Sequence, residues 1–183
     1  AGGAPAVVVP DASSAPAVRC DGRGLARTCL VTGVLPGAAV ALTTGDGVPD
    51  TLVVAVARRD VPPVRLPTFY GSRLWGQCTP ATDARDLPRL DRIAAADVDG
   101  DGREDLVLLA ECMTGIGPTG AQPFPAGAVW FADGRGGWRS AERVDSAFTD
   151  AAQAPCGDEE RPGRTPCDVR ALAARATRAV AGR

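Results

Sequence analysis

Six cysteines constrain this chain more than any other feature. They stand at Cys20, Cys29, Cys78, Cys112, Cys156 and Cys167 in a chain of 183 residues, and no two form the C-x-x-C pair that zinc ribbons and dithiol redox motifs need. An even set without such a pair reads as a disulfide framework formed in an oxidising compartment. Cys20 and Cys29 are nine residues apart around a Gly-rich turn, and Cys156 and Cys167 are eleven apart in a Pro-containing segment. Those spacings pair Cys20 with Cys29 and Cys156 with Cys167, which leaves Cys78 with Cys112 by elimination. The chain opens Ala1-Gly2-Gly3-Ala4-Pro5 without Met, the start expected after removal of an export signal or trimming.

Between the cysteines the core has to be built from small and aliphatic residues, because hydrophobic residues make up 45% of the chain and aromatic ones only 4%. That is enough apolar material for one domain of this length. The 20 basic residues, all Arg, nearly balance 22 acidic ones, and no basic block runs along the chain, which argues against a nucleic-acid partner. No apolar run approaches the ~18 residues of a membrane span. His is absent, so Ser-His and Cys-His catalytic arrangements are excluded within the chain. Any catalysis would rest on Asp and Glu alone, and an enzyme is not expected.

The pattern along the chain predicts a mainly β fold: a small twisted antiparallel sheet of one or two units, stapled by disulfides, with a C-terminal helix. Residues 1–16 read as an N-terminal linker, 17–150 as the β-domain, and 151–183 as a disulfide loop followed by the helix. Strands are expected at Leu30-Val31-Thr32, at Ala38 to Thr43, at Leu52 to Val56, at Ile93 to Ala96, at Leu106 to Ala110 and at Val129-Trp130-Phe131. Arg58 to Pro88, with its prolines, reads as a long surface excursion pinned by Cys78, too broken for a helix. The only helix expected is the last. Thr165 is its N-cap, Pro166 its first residue, Asp168 the partner in a capping box, and Val169, Leu172, Ala173, Ala176 and Val180 its apolar face.

One segment is hard to explain by folding alone. Asp97-Val98-Asp99-Gly100-Asp101-Gly102-Arg103-Glu104-Asp105 crowds carboxylates at near-alternate positions, and like charges this close oppose one another unless something positive sits among them. A hard divalent cation would serve. Calcium takes six to eight oxygen ligands in flexible geometry, whereas magnesium demands a stricter octahedron. Asp97, Asp99 and Asp101 can turn inward, the Arg103 carbonyl can add a neutral oxygen and Asp105 can close the ring. An EF-hand is disfavoured, because its positions 8 and 12 fall on Glu104 and Leu108, where an apolar residue and a bidentate Glu are needed. The apolar run that follows at once reads instead as a strand.

The frame from Ile93 to Leu108 resembles the calcium loop of FG-GAP or VCBS repeats, the blade units of integrin-α-type β-propellers. Val129-Trp130-Phe131-Ala132-Asp133-Gly134-Arg135-Gly136-Gly137-Trp138 is similar to that family's strand, Gly-rich turn and aromatic. The resemblance covers Ile93 to Trp138 and implies calcium on Asp97, Asp99, Asp101 and Asp105, with the Arg103 carbonyl. Gly45-Asp46-Gly47-Val48-Pro49-Asp50 lines up with Gly100 to Asp105 at an offset of 55 residues and reads equally as a diverged second repeat or as an ordinary hairpin turn.

These readings converge on an exported, secreted or cell-surface domain, of bacterial type, in which calcium is structural. The resemblance implies an adhesion, interaction or assembly module whose partner is a protein or glycan at a cell surface, or another copy of itself. Phe69, Tyr70 and Trp75 form a candidate contact surface, with core packing as the equal alternative. A calcium-assisted lectin stacking sugar on Trp75, Trp130 or Trp138 is the second reading, and a carboxylate-dependent hydrolase the third. Asp158-Glu159-Glu160 reads as a solvated loop. Thr114 to Gly120 contains a G-x-G, but Pro118 argues against a dinucleotide fingerprint.

Overall fold

The computed structural model describes residues 15–23, 26–45, 52–114, 122–157 and 165–182. The first sheet is an antiparallel meander of β1 (Ala17–Arg23), β2 (Ala26–Thr32), β3 (Ala38–Thr44), β4 (Val53–Arg58) and the short β5 (Val64–Arg65), each strand paired with the next. Val40 lies opposite Val56 and Leu42 opposite Val54, so alternate β-branched and Leu side chains share one buried face.

The second sheet contains β6 (Cys78–Pro80), β7 (Ile93–Ala96), β8 (Asp105–Thr114), β9 (Gln122–Ala132) and β10 (Trp138–Ser140). β9 and β10 follow β8 on one side, and the other edge of β8 is divided: β7 pairs with its first half, β6 with its second. The strands β7 to β10 therefore make a four-stranded meander in chain order. β8 and β9 are covered on both faces. Leu106, Leu108 and Ala110 of β8, with Ala126, Ala128 and Trp130 of β9, pack toward the first sheet, while Val107, Leu109, Val129 and Phe131 pack toward two helices. Covering both faces explains why Leu106 to Ala110 is an unbroken apolar run rather than an alternating one.

The helices correct three expectations. α1 (Tyr70–Trp75) lies inside the presumed surface excursion, where Leu66, Phe69, Ser72 and Cys78 are buried; Phe69 packs edge-on against Trp130 at 6.0 Å. α2 (Glu142–Cys156) was not expected at all and crosses the boundary drawn between residues 150 and 151. α3 (Val169–Ala181) is the predicted final helix, but it is capped by Asp168, whose Oδ1 accepts from the Ala171 N–H at 3.1 Å, and Thr165 and Pro166 stay outside it. The Cys156–Cys167 bridge fixes the chain just before Asp168, which accounts for the later start.

α2 escaped the pattern because its polar face bonds to protein instead of water. Asp145, Thr149 and Gln153, one per turn, line the open edge of β9: Asp145 Oδ1 accepts from the Val129 N–H at 2.9 Å, Thr149 Oγ1 from the Gly127 N–H at 2.9 Å, and Gln153 Nε2 donates to the Pro125 carbonyl at 2.7 Å. Phe148, on the apolar face, fills the space over Gly127, where any Cβ would overlap its ring.

Three disulfides join Cys20 to Cys29, Cys78 to Cys112 and Cys156 to Cys167, as the spacing predicts, and leave no free cysteine. The first two link residues directly opposite on neighbouring strands. They point to an oxidising environment. Among the described residues no helix is long and apolar enough to cross a membrane. Residues 1–14 of the expected linker, the bulk of the Gly45–Asp50 motif, the G-x-G segment beyond Thr114 and Asp158-Glu159-Glu160 lie outside the described residues.

Candidate metal centre

The acidic loop joins β7 to β8, and the register sets Ala96 opposite Asp105, so Asp97 and Asp105 stand on either side of the hairpin mouth. Gly100 and Gly102 take φ of +78° and +85° with open space where a Cβ would stand. Their requirement is conformational: two left-handed residues let the chain curl back over Asp97.

That curl points backbone N–H groups inward. Asp97 Oδ1 accepts from Gly100 at 2.8 Å and Asp101 at 3.0 Å, and its Oδ2 from Gly102 at 2.8 Å. Asp99 Oδ1 accepts from the Asp101 N–H at 3.2 Å, and its Oδ2 lies 3.5 Å from Arg139 Nη2. Burial, the charge on Asp101 and the charge on Asp97 raise the Asp99 carboxyl, against the pull of that N–H bond. Asp105 is fully buried: its Oδ2 accepts from the Val98 N–H at 3.1 Å and its Oδ1 from the Ala132 N–H at 3.0 Å. It thereby ties the loop to the end of β9. Burial, with smaller contributions from the Asp99 and Asp101 charges, pushes its carboxyl up to about 6, although the two N–H bonds act the other way.

One oxygen each from Asp97, Asp99 and Asp105 lies within 4.8 Å of the others. Ligands about 2.4 Å from a common cation stand at most about twice that distance apart, so the three carboxylates fall within the spacing that ligands of one ion allow. Asp97 Oδ1 already accepts two N–H groups, but Asp97 Oδ2 and both Asp105 oxygens accept one each and keep a second lone pair for a metal. A donor set made only of oxygens suits hard cations rather than zinc or copper.

Asp101 is not among the three clustered carboxylates, and it engages the Arg103 N–H and side chain. Asp101 turns both oxygens to Arg103: Oδ1 accepts from its N–H at 2.8 Å and Oδ2 from Nη1 at 2.9 Å, an arrangement that lowers the Asp101 carboxyl. The Arg103 guanidinium then lies against Gly134 in the turn between β9 and β10. In that turn Asp133 Oδ1 accepts from Arg135 and Gly137, which holds its carboxyl below the usual range. The second cation, Arg139, was not singled out in the sequence. Its register opposite Phe131 places the guanidinium 4.4 Å from that ring, beside Asp99. Crowded carboxylates are thus answered in part by the loop's own amides and two arginines.

The aromatic candidates are dispersed. Phe69 and Trp130 are buried, with Trp130 Nε1 donating to the Pro67 carbonyl at 2.8 Å. Trp138 is half-buried against the core between the sheets. Tyr70 and Trp75 are half-buried too, and Trp75 packs edge-on against Phe124 at 4.4 Å. Phe124 lies opposite Cys112, seven residues along β8 from Asp105, or about 23 Å at the rise of a strand. Compared with known protein families, with characterised proteins and with solved structures, the chain matches none.

Proposed function

We propose that this chain is an exported calcium-binding β-domain in which the ion is structural, and that it serves as a surface adhesion, interaction or assembly module. The observation that carries the calcium reading is the approach of Asp97, Asp99 and Asp105 oxygens to within 4.8 Å of one another at the mouth of the β7–β8 hairpin. The resemblance of this loop to FG-GAP or VCBS repeats, and the four-stranded meander that carries it, support the same reading and favour calcium over magnesium. Export is supported by three disulfides. In this proposal the ion supplements Arg139 and the loop amides, fixing the hairpin mouth against β9 through Asp105.

Extracellular calcium modules bind at roughly 10⁻⁴ to 10⁻³ M, so millimolar calcium stabilises by about 1 to 2 kcal/mol, a shift of a few degrees in melting temperature. Thermal melts with calcium, with magnesium and with EDTA test this. Calcium raises the melting temperature of the wild type and leaves Asp99→Asn unmoved; a wild-type curve indifferent to calcium and EDTA removes the site. The glycan-binding reading draws on Trp138 rather than Trp75, which stands far along the strand from the acidic loop. An array of glycans with and without calcium separates the two readings.

A further inference from the structure

We propose that Asp145 is a proton-dependent latch that holds α1 and α2 to the open edge of β9 and loosens this junction as pH rises from the acid range through neutrality. The inference is independent of the calcium reading. Asp145 is fully buried on α2, and its two oxygens reach two different elements. Oδ1 accepts from the Val129 N–H of β9 at 2.9 Å, and Oδ2 from the N–H of Tyr70, the first residue of α1, at 3.1 Å. β10 pairs with β9 only from Trp130 onward, so the Val129 N–H faces an edge that no strand covers. The N-cap residue of α1, Phe69, makes no side-chain cap. One carboxyl therefore closes a three-element junction.

Among the described residues no cation pairs with it. The charged groups that face it are Arg73 of α1 and Glu142 of α2, which pair with each other at 3.6 Å nearer the surface; β9 carries no titratable side chain. A carboxyl buried in this way keeps its charge only at a desolvation cost that two N–H bonds offset in part. Burial accordingly pushes it up to about 7, against the lowering pull of the Val129 and Tyr70 bonds and of Arg73. In the closed junction it holds a proton near neutrality; in the opened junction an ordinary carboxyl does not. The stabilisation is fully present below the ordinary carboxyl range and is lost as pH rises through about 7. The element released is α1, with the half-buried Tyr70 and Trp75.

Carbon-13 carboxyl NMR of the intact protein reads the Asp145 midpoint, and hydrogen exchange of the Tyr70 and Val129 amides reads the junction. The expected midpoint is near 7, and the protection of both amides falls about tenfold from pH 6 to pH 8 after correction for intrinsic rates. In Asp145→Asn the protection becomes independent of pH over that range. A wild-type midpoint below about 5, the ordinary carboxylate range, overturns the proposal, as does an unchanged pH profile in Asp145→Asn. Where Asp145→Asn does not fold, the wild-type midpoint alone decides.

Discussion

Asp99 and Asp105 sit in the same loop and answer different needs. Asp105 is buried with both oxygens committed to backbone N–H groups, so Asp105→Asn turns an amide donor toward Val98 or Ala132 and leaves that group unsatisfied. The expected cost is about 1 to 3 kcal/mol in urea denaturation in EDTA, and larger in calcium, because one of the three clustered carboxylates is lost as well. Asp99 is exposed and meets the Asp101 N–H and Arg139. Asp99→Asn is expected to cost less than about 0.5 kcal/mol in EDTA while removing the response to calcium. A large loss of stability in Asp99→Asn without calcium would assign the loop's order to the arginine contact instead. The clustering of Asp97, Asp99 and Asp105 was legible because alternate residues of a curled loop face one side. The diversion of Asp101 to Arg103 was not, since either basic or metal partners satisfy the same spacing.

At the scale of elements, β2, β3, β4, β7, β8 and β9 were legible and α2 was not, for one reason; β1, β5, β6 and β10 were not singled out either. Strand signals are local: Val40, Leu42, Val54 and Val56 alternate along their own segments, and the turn glycines bound them. The polar stripe of α2 has meaning only beside the edge of β9, which lies many residues earlier in the chain. Pro155 in its last turn further masks the helix. Gly127 tests this docking. Gly127→Ala places a methyl where the Phe148 ring stands, and the helix has to withdraw; a loss of about 1 to 3 kcal/mol is expected by thermal or urea unfolding. Phe148→Ala removes a fully buried ring and should cost about 3 to 5 kcal/mol alone, with much less than additive loss when combined with Gly127→Ala. Additive losses would separate the two residues and contradict the packing.

The whole molecule is three layers: a disulfide-pinned meander, a central sheet buried on both faces, and a helical layer that seals the second face. Cys78–Cys112 closes 34 residues, against 9 and 11 for the other two, so its removal is expected to cost about 4 kcal/mol against about 3 for either of them. It is also the only bridge with both cysteines almost fully enclosed, so limited reductant opens Cys20–Cys29 and Cys156–Cys167 before it, as mass spectrometry of alkylated fragments would record. The connectivity was legible from spacing; the burial of Phe69 and Trp130 between the sheets was not, because nothing local distinguishes a core aromatic from a contact surface. The central functional claim is that one hairpin mouth in this scaffold holds calcium. Backbone NMR of the oxidised protein during calcium addition tests it most directly. Saturable shifts confined to residues 97–105 and the neighbouring Ala132, complete below about 10 mM calcium and absent in Asp99→Asn, are predicted. A spectrum unchanged in that loop at the same calcium concentration would contradict the account.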